Sequence, residues 1–129
     1  MVRVIFVLVA LFVALVVASV VHAEEGRKTR VVSMEVTAYC PCKKCCGPNA
    51  QGITASGRPV SANGGKFCAA PRNYKFGTKM IVPGYNDGNA IPVYDRGGAI
   101  KGNHLDVYFP THQEARNWGR QMLDVTVEE

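Results

Sequence analysis

Two aspartates, Asp95 and Asp106, stand eleven positions apart at the ends of the run DRGGAIKGNHLD. A pair of carboxylates on one cleft is the usual equipment for cutting a glycosidic bond, because one of them must deliver a proton to the leaving oxygen. Gly97, Gly98 and Gly102 let the intervening backbone come close to a ligand. Val93 and Tyr94 on one side, and Leu105, Val107 and Phe109 on the other, read as half-buried strands. Asp106 is out of phase with Leu105 and Val107, so strand alternation points it to the other face, with His104 and Tyr108. The simplest geometry puts one acid on each rim of one cleft. A plain structural reading stays open beside it: Asp95 as a turn cap before Arg96-Gly97-Gly98, and Asp106 as a solvated strand residue, although Asp is disfavoured there.

The cysteines offer a second chemistry. Cys40, Cys42, Cys45 and Cys46 lie within seven residues, and Cys68 follows further on. In an exported small domain these are disulfide candidates first. A bridge from Cys68 back to the cluster would tie two segments together, and the odd total leaves at least one thiol over. Adjacent Cys45 and Cys46 are badly placed to bond to each other. The alternative is zinc, since Cys42-x-x-Cys45 has ligand spacing and Cys68 could add a thiolate. The oxidising compartment and the absence of a second CxxC favour disulfides, so neither a metal nor a cofactor is expected. Nothing marks one Cys as a catalytic partner for His104.

The elements that must position these residues are short. Ser33 to Tyr39 alternates, with Met34, Val36 and Ala38 on one face. Cys40 to Gly65, rich in Gly, Pro, Asn and Ser, reads as loop with one short strand near Arg58 to Ser61. Phe67 to Ala69, Lys79 to Val82, Ala90 to Tyr94 and the alternating Leu123, Val125 and Val127 are further strands, and Asp87-Gly88 signals a turn. Thr111 and Glu114 form a capping box for one helix that buries Ala115 and Trp118 before Gly119. Six strands without a βαβ rhythm predict a small all-β barrel.

The chain of 129 residues has room for one domain. Arg3, the apolar run from Val4 to Val21, and Val21-His22-Ala23 read as a signal peptide over residues 1–23, or, uncut, as a membrane anchor. Residues 24–32 read as a linker and 33–129 as the domain. Either fate of the leader places the domain outside the cytoplasmic membrane: periplasmic, in the cell envelope, or secreted. Contact with the membrane is expected only through an uncut leader. The net charge of +5 is spread along the chain, without the basic stripe of a nucleic-acid binder, so no nucleic-acid partner is expected. Such charge gives weak attraction to anionic wall polymers.

The run YDRGGAIKGNHLDVYF, with VTAYC, GITASG and APRNYKFGT upstream, resembles the three-aspartate (3D) domain family, related to the catalytic barrel of membrane-bound lytic transglycosylase A. The resemblance spans roughly residues 35 to 127. It implies a six-stranded double-psi β-barrel with one short helix, acting on the glycan strands of peptidoglycan. It assigns Asp106 as the single acid–base residue, which protonates the bond between N-acetylmuramic acid and N-acetylglucosamine and then accepts the C6 hydroxyl proton as a 1,6-anhydro ring closes. Asp95 supports it. Thr37, Thr54 and Ser56 match segments that line the cleft. Gly97, Gly98 and Lys101 are expected to meet the glycan, and Tyr39, Tyr94 and Tyr108 are candidate sugar-stacking walls. The cysteines read as structural. One departure stands out: Ala70 sits before Pro71 where the family has its first Asp. That keeps alive a non-catalytic glycan-binding module and, more distantly, a Cys-stapled interaction domain.

Overall fold

A computed structural model describes residues 26–129. The leader expected over residues 1–23 lies outside the described residues. The strands are β1 (Thr29–Tyr39), β2 (Cys68–Ala69), β3 (Lys79–Ile81), β4 (Ile91–Asp95), β5 (His104–Tyr108) and β6 (Gln121–Glu128). Two helices join them: α1 (Lys43–Cys46) and α2 (His112–Trp118). The strands pair in the order β1-β5-β2-β4-β3-β6, and β1 returns to β6 to close the ring. β1 runs parallel to β5 and β2 parallel to β4; the remaining pairs are antiparallel.

Alternation builds the core. Met34 and Val36 from β1, Leu105 and Val107 from β5, and Val125 and Val127 from β6 are all fully buried and meet Met80, Ile91 and Val93 inside the ring. With Leu105 and Val107 committed inward, Asp106 between them is left to the outer face. The α2 capping box forms as its residues dictate: Thr111 Oγ1 accepts from the Glu114 N–H at 3.3 Å, and its hydroxyl donates to Glu114 Oε2 at 2.6 Å. Trp118 at the far end of α2 packs on Tyr85 and Phe109 and donates to Val36 O at 3.3 Å. That clamp holds the helix against β1.

Three expectations need correction. The linker over 24–32 is strand from Thr29 onward, because Thr29, Arg30, Val31 and Val32 pair with Glu128, Val127, Thr126 and Val125. The strand near Arg58 to Ser61 shrinks to a single bridge between Ile53 and Pro59, followed by a 3₁₀ turn over Ala62–Gly65. Asn63 in that turn takes a φ of 52°, which breaks extended backbone. Within the cysteine segment, read as loop, Lys43–Cys46 forms one helical turn.

Ile91 is buried completely where β4 meets β3. Ile91→Ala is expected to lower the unfolding free energy by about 2–5 kcal/mol, a large share of what a domain of this size holds. Urea denaturation followed by tryptophan fluorescence checks it; a loss below that range would mean the barrel interior collapses around the missing side chain.

Candidate active site

β2 is two residues long, and its Ala69 pairs with Asp106 on β5 and with Asp95 on β4. The two acids therefore flank one residue at the same level of the sheet, on strands one removed from each other, with backbones roughly 10 Å apart. Both line a cleft of about 620 Å³, within the usual range for ligand sites. Tyr39, Ile53, Gly97, Gly98 and the Cys45–Cys46 pair are among its walls. The loop between the acids folds back on itself through Ile100 N–H to Gly97 O at 3.1 Å. A Cβ at position 97 would stand 3.0 Å from the Ile100 side chain, so any larger residue there would push Ile100 aside by a few tenths of an ångström.

The carboxylates live in different surroundings. Asp95 takes three donors: Oδ1 accepts from the N–H groups of Ala55 (2.8 Å) and Arg96 (2.9 Å), and Oδ2 from the Tyr39 hydroxyl at 2.5 Å. Burial, and next the hydrogen bond to Asp95, hold the Tyr39 phenol far above its ordinary pKa, so it serves as a donor. Asp106 receives one side-chain hydrogen bond, from Thr37 Oγ1 to Oδ1 at 3.1 Å. Thr37 Oγ1 also lies 2.8 Å from His104 Nε2, which lines up His104, Thr37 and Asp106. Burial is the main cause that pushes Asp106 up to about 6; the Thr37 hydrogen bond works against it, and the Asp95 charge adds to it. A carboxyl of that kind keeps its proton into the mildly acidic range and can give it away.

The other expected residues divide. Tyr39, Gly97 and Gly98 line the cleft, and Thr37 holds Asp106. Thr54 is buried and bonds Arg58 O and Ser56 Oγ. Ser56 ties its backbone to Tyr94 O at 3.1 Å. Between them they hold the Ala55 N–H against Asp95, a positioning role rather than a wall. Lys101 faces a neighbouring cleft with Ala70, Arg72 and Arg96, on the far side of the glycine loop. Tyr108 is buried and stacked on Phe67 at 4.6 Å, so it is core and no sugar platform. Tyr94 lies outside the walls, with the Arg58 guanidinium 4.6 Å above its ring. Ala70, in the place of the missing acid, is fully buried. Its N–H donates to Asp95 O and its carbonyl accepts from Arg96 Nη1.

Cys68 does not reach back to the cysteine cluster. Its alternation on β2 turns the thiol into the barrel core, where it donates to Pro92 O at 3.8 Å and burial raises its pKa. Cys40, Cys42 and Cys45 meet instead, joined by His112 at the start of α2. Sequence reasoning passed over His112; its signal was the position directly after the Thr111 cap, which fixes where the first helical side chain projects.

A closed ring of six strands carrying a paired-aspartate cleft on a glycine loop defines a small β-barrel domain with a candidate active site at one edge. Residues 68–128 match the 3D domain family, which identifies this part of the chain as a 3D domain. β1 and the cysteine segment precede the matched residues. The chain is 33% identical over 110 residues to the putative cell wall shaping protein YabE of Bacillus subtilis (strain 168), covering 84% of this chain and 26% of that protein. It is 35% identical over 106 residues to the cell wall-binding protein YocH of the same strain, covering 81% of this chain and 36% of that protein. The chain thus spans about a quarter to a third of the length of these relatives.

An acid whose folded pKa lies above its unfolded value binds more protons when folded between those values, so it favours the fold at low pH and costs stability as pH rises through about 6. Asp106→Asn is therefore expected to raise stability at pH 7.5 by on the order of 1–3 kcal/mol. The gain should vanish below the unfolded value of 3.8. Urea unfolding of both proteins at the two pH extremes checks it; equal stability throughout would deny the burial of this carboxyl.

Proposed function

We propose that this protein is a lytic transglycosylase acting on peptidoglycan outside the cytoplasmic membrane, with residues 26–129 as its catalytic domain on a double-psi β-barrel. The observation that carries the reading is the contrast between the two acids of one cleft: Asp106, half-buried and holding its proton to about 6, and Asp95, locked by three donors. The parallel pairs β1–β5 and β2–β4 support the barrel topology. The names of the two relatives, cell wall shaping and cell wall-binding, support the wall as the place of action.

In this mechanism Asp106 donates its proton to the glycosidic oxygen between N-acetylmuramic acid and N-acetylglucosamine. The carboxylate left behind takes the proton of the muramoyl C6 hydroxyl as that oxygen attacks the anomeric carbon and closes the 1,6-anhydro ring. No external water enters, and the proton returned in the second step regenerates the acid. Thr37 stabilises the carboxylate by its hydrogen bond, with His104 behind it. Asp95 orders Tyr39 and the Ala55 and Arg96 amides, which shape the opposite wall, and supplies negative charge near the developing oxocarbenium ion.

A second reading has its own support. Ala70 places a buried methyl where the family has an acid, and one relative is named for binding alone. In that reading the cleft holds glycan without cutting it.

The full chain incubated with purified peptidoglycan, with products read by mass spectrometry, separates the two. Anhydro-ended muropeptides are expected from the wild type, with the rate falling as pH rises through about 6, where Asp106 loses its proton. Asp106→Asn keeps the size of the side chain and removes the transferable proton, so the rate should fall about 10²–10⁴-fold, while co-sedimentation with peptidoglycan persists. Wild-type protein that sediments with peptidoglycan yet releases no anhydro ends between about pH 4 and 8 would assign the cleft to binding.

A further inference from the structure

Cys40, Cys42, Cys45 and His112 point their ligand atoms at one spot. All four atoms lie within 4.8 Å of one another. His112 Nδ1 stands 3.7 Å from Cys40 Sγ, 3.6 Å from Cys42 Sγ and 3.5 Å from Cys45 Sγ. Cys40 Sγ is 3.0 Å from Cys42 Sγ and 3.4 Å from Cys45 Sγ. An imidazole that merely hydrogen-bonds a thiol approaches one sulfur; near-equal distances to three are those of one corner of a tetrahedron to the other three. Zinc held at about 2.3 Å by sulfur and 2.0–2.1 Å by nitrogen has tetrahedral edges of roughly 3.5 Å for S···N and 3.8 Å for S···S. The nitrogen edges match, and the sulfur edges fall short by less than 1 Å.

We propose that these four residues form a structural zinc site of the Cys₃His type. The three thiols release their protons to solvent as thiolates bind the cation, and the closed set of four ligands leaves no position for substrate. The centre then carries one net negative charge, and Lys43 and Lys44 on α1, between two of the ligands, lie beside it. Cys46 stays outside, its thiol donating to Cys40 O at 3.2 Å, and Cys68 stays in the core. Three of the four ligands precede residues 68–128, so the site lies where β1 leaves the barrel.

Its place in the fold gives it work. Cys40 directly follows β1, Cys42 and Cys45 bracket the single turn of α1, and His112 opens α2. One cation would join three pieces of chain that share few backbone hydrogen bonds. Cys45 and Cys46 line the cleft of Asp95 and Asp106, so the zinc would hold one of its walls.

The test is metal content, which is independent of any action on peptidoglycan. The full chain, purified without chelator or reductant, should carry about one equivalent of zinc by elemental analysis. Replacement by cobalt(II) should give the visible absorption of a tetrahedral thiolate complex. Cys42→Ser and His112→Gln should weaken zinc binding by more than about 100-fold, beyond what losing an outer partner costs. Cys46→Ser and Cys68→Ala should keep the equivalent. His112→Cys, which makes a four-thiolate site, should also bind zinc, and this outcome guards against mistaking misfolding for ligand loss. Protein that holds no zinc while Cys40, Cys42 and Cys45 titrate as free thiols, or that links any two of them in a disulfide, would overturn the proposal, as would unchanged affinity in His112→Gln.

Discussion

Closure of the ring by β1 is the constraint on which the rest of this structure depends. β1 pairs over eight positions with β6 and over five with β5, so one strand both seals the sheet and carries the site's supports. Its inward residues Met34 and Val36 enter the core. On the other face Thr37 reaches Asp106 and Tyr39 reaches Asp95. A one-residue slip of β1 would exchange those faces, exposing the apolar residues and burying the polar ones, so the hydrophobic pattern that fixes the register also fixes the cleft.

β2 matters for the opposite reason, its brevity. With only Cys68 and Ala69 in the ladder, and a register shift between them, it brings β4 and β5 to either side of one alanine. Two carboxylates eleven positions apart on different strands then share a cleft, with one alanine between their backbones. Their roles separate through solvation. Asp95, at a strand end, takes one backbone donor from Ala55 in the Thr54–Ser56 turn and one from Arg96, whereas Asp106 lies within a strand whose amides already belong to the ladder. Burial then dominates Asp106, and its proton is retained.

The cysteine segment adds a third layer of organisation. A chain of this size has a modest core, and the long connection between β1 and β2 holds one helical turn, one 3₁₀ turn and a single bridge. A cross-link at its beginning is the economical way to order it. The proposed zinc, at the meeting of three thiols with His112, would place that cross-link against α2, which Trp118 clamps to β1. It would thereby connect the barrel, the helix and the cleft wall.

Much of this was legible along the chain because it is local. Alternating apolar residues specified the strands, Thr111 and Glu114 specified the helix start, and the phase of Asp106 against Leu105 and Val107 specified which way it faces. Proximity between distant segments was not legible. Nothing in the run from Arg58 to Ser61 announced that Asn63 would turn the chain, and nothing around Lys101 announced that the glycine loop would leave it in a different cleft. Thr54 and Ser56 looked like wall residues and became supports for an amide. Cys68 looked like a partner for the cluster, but the inward phase of β2 gave it to the core, and His112, 67 residues beyond Cys45, took its place. By itself the sequence determined most of the strands, the capped helix and the faces they bury; only the closed ring decided which side chains meet, since contacts across a barrel depend on strand order and register that no local pattern encodes.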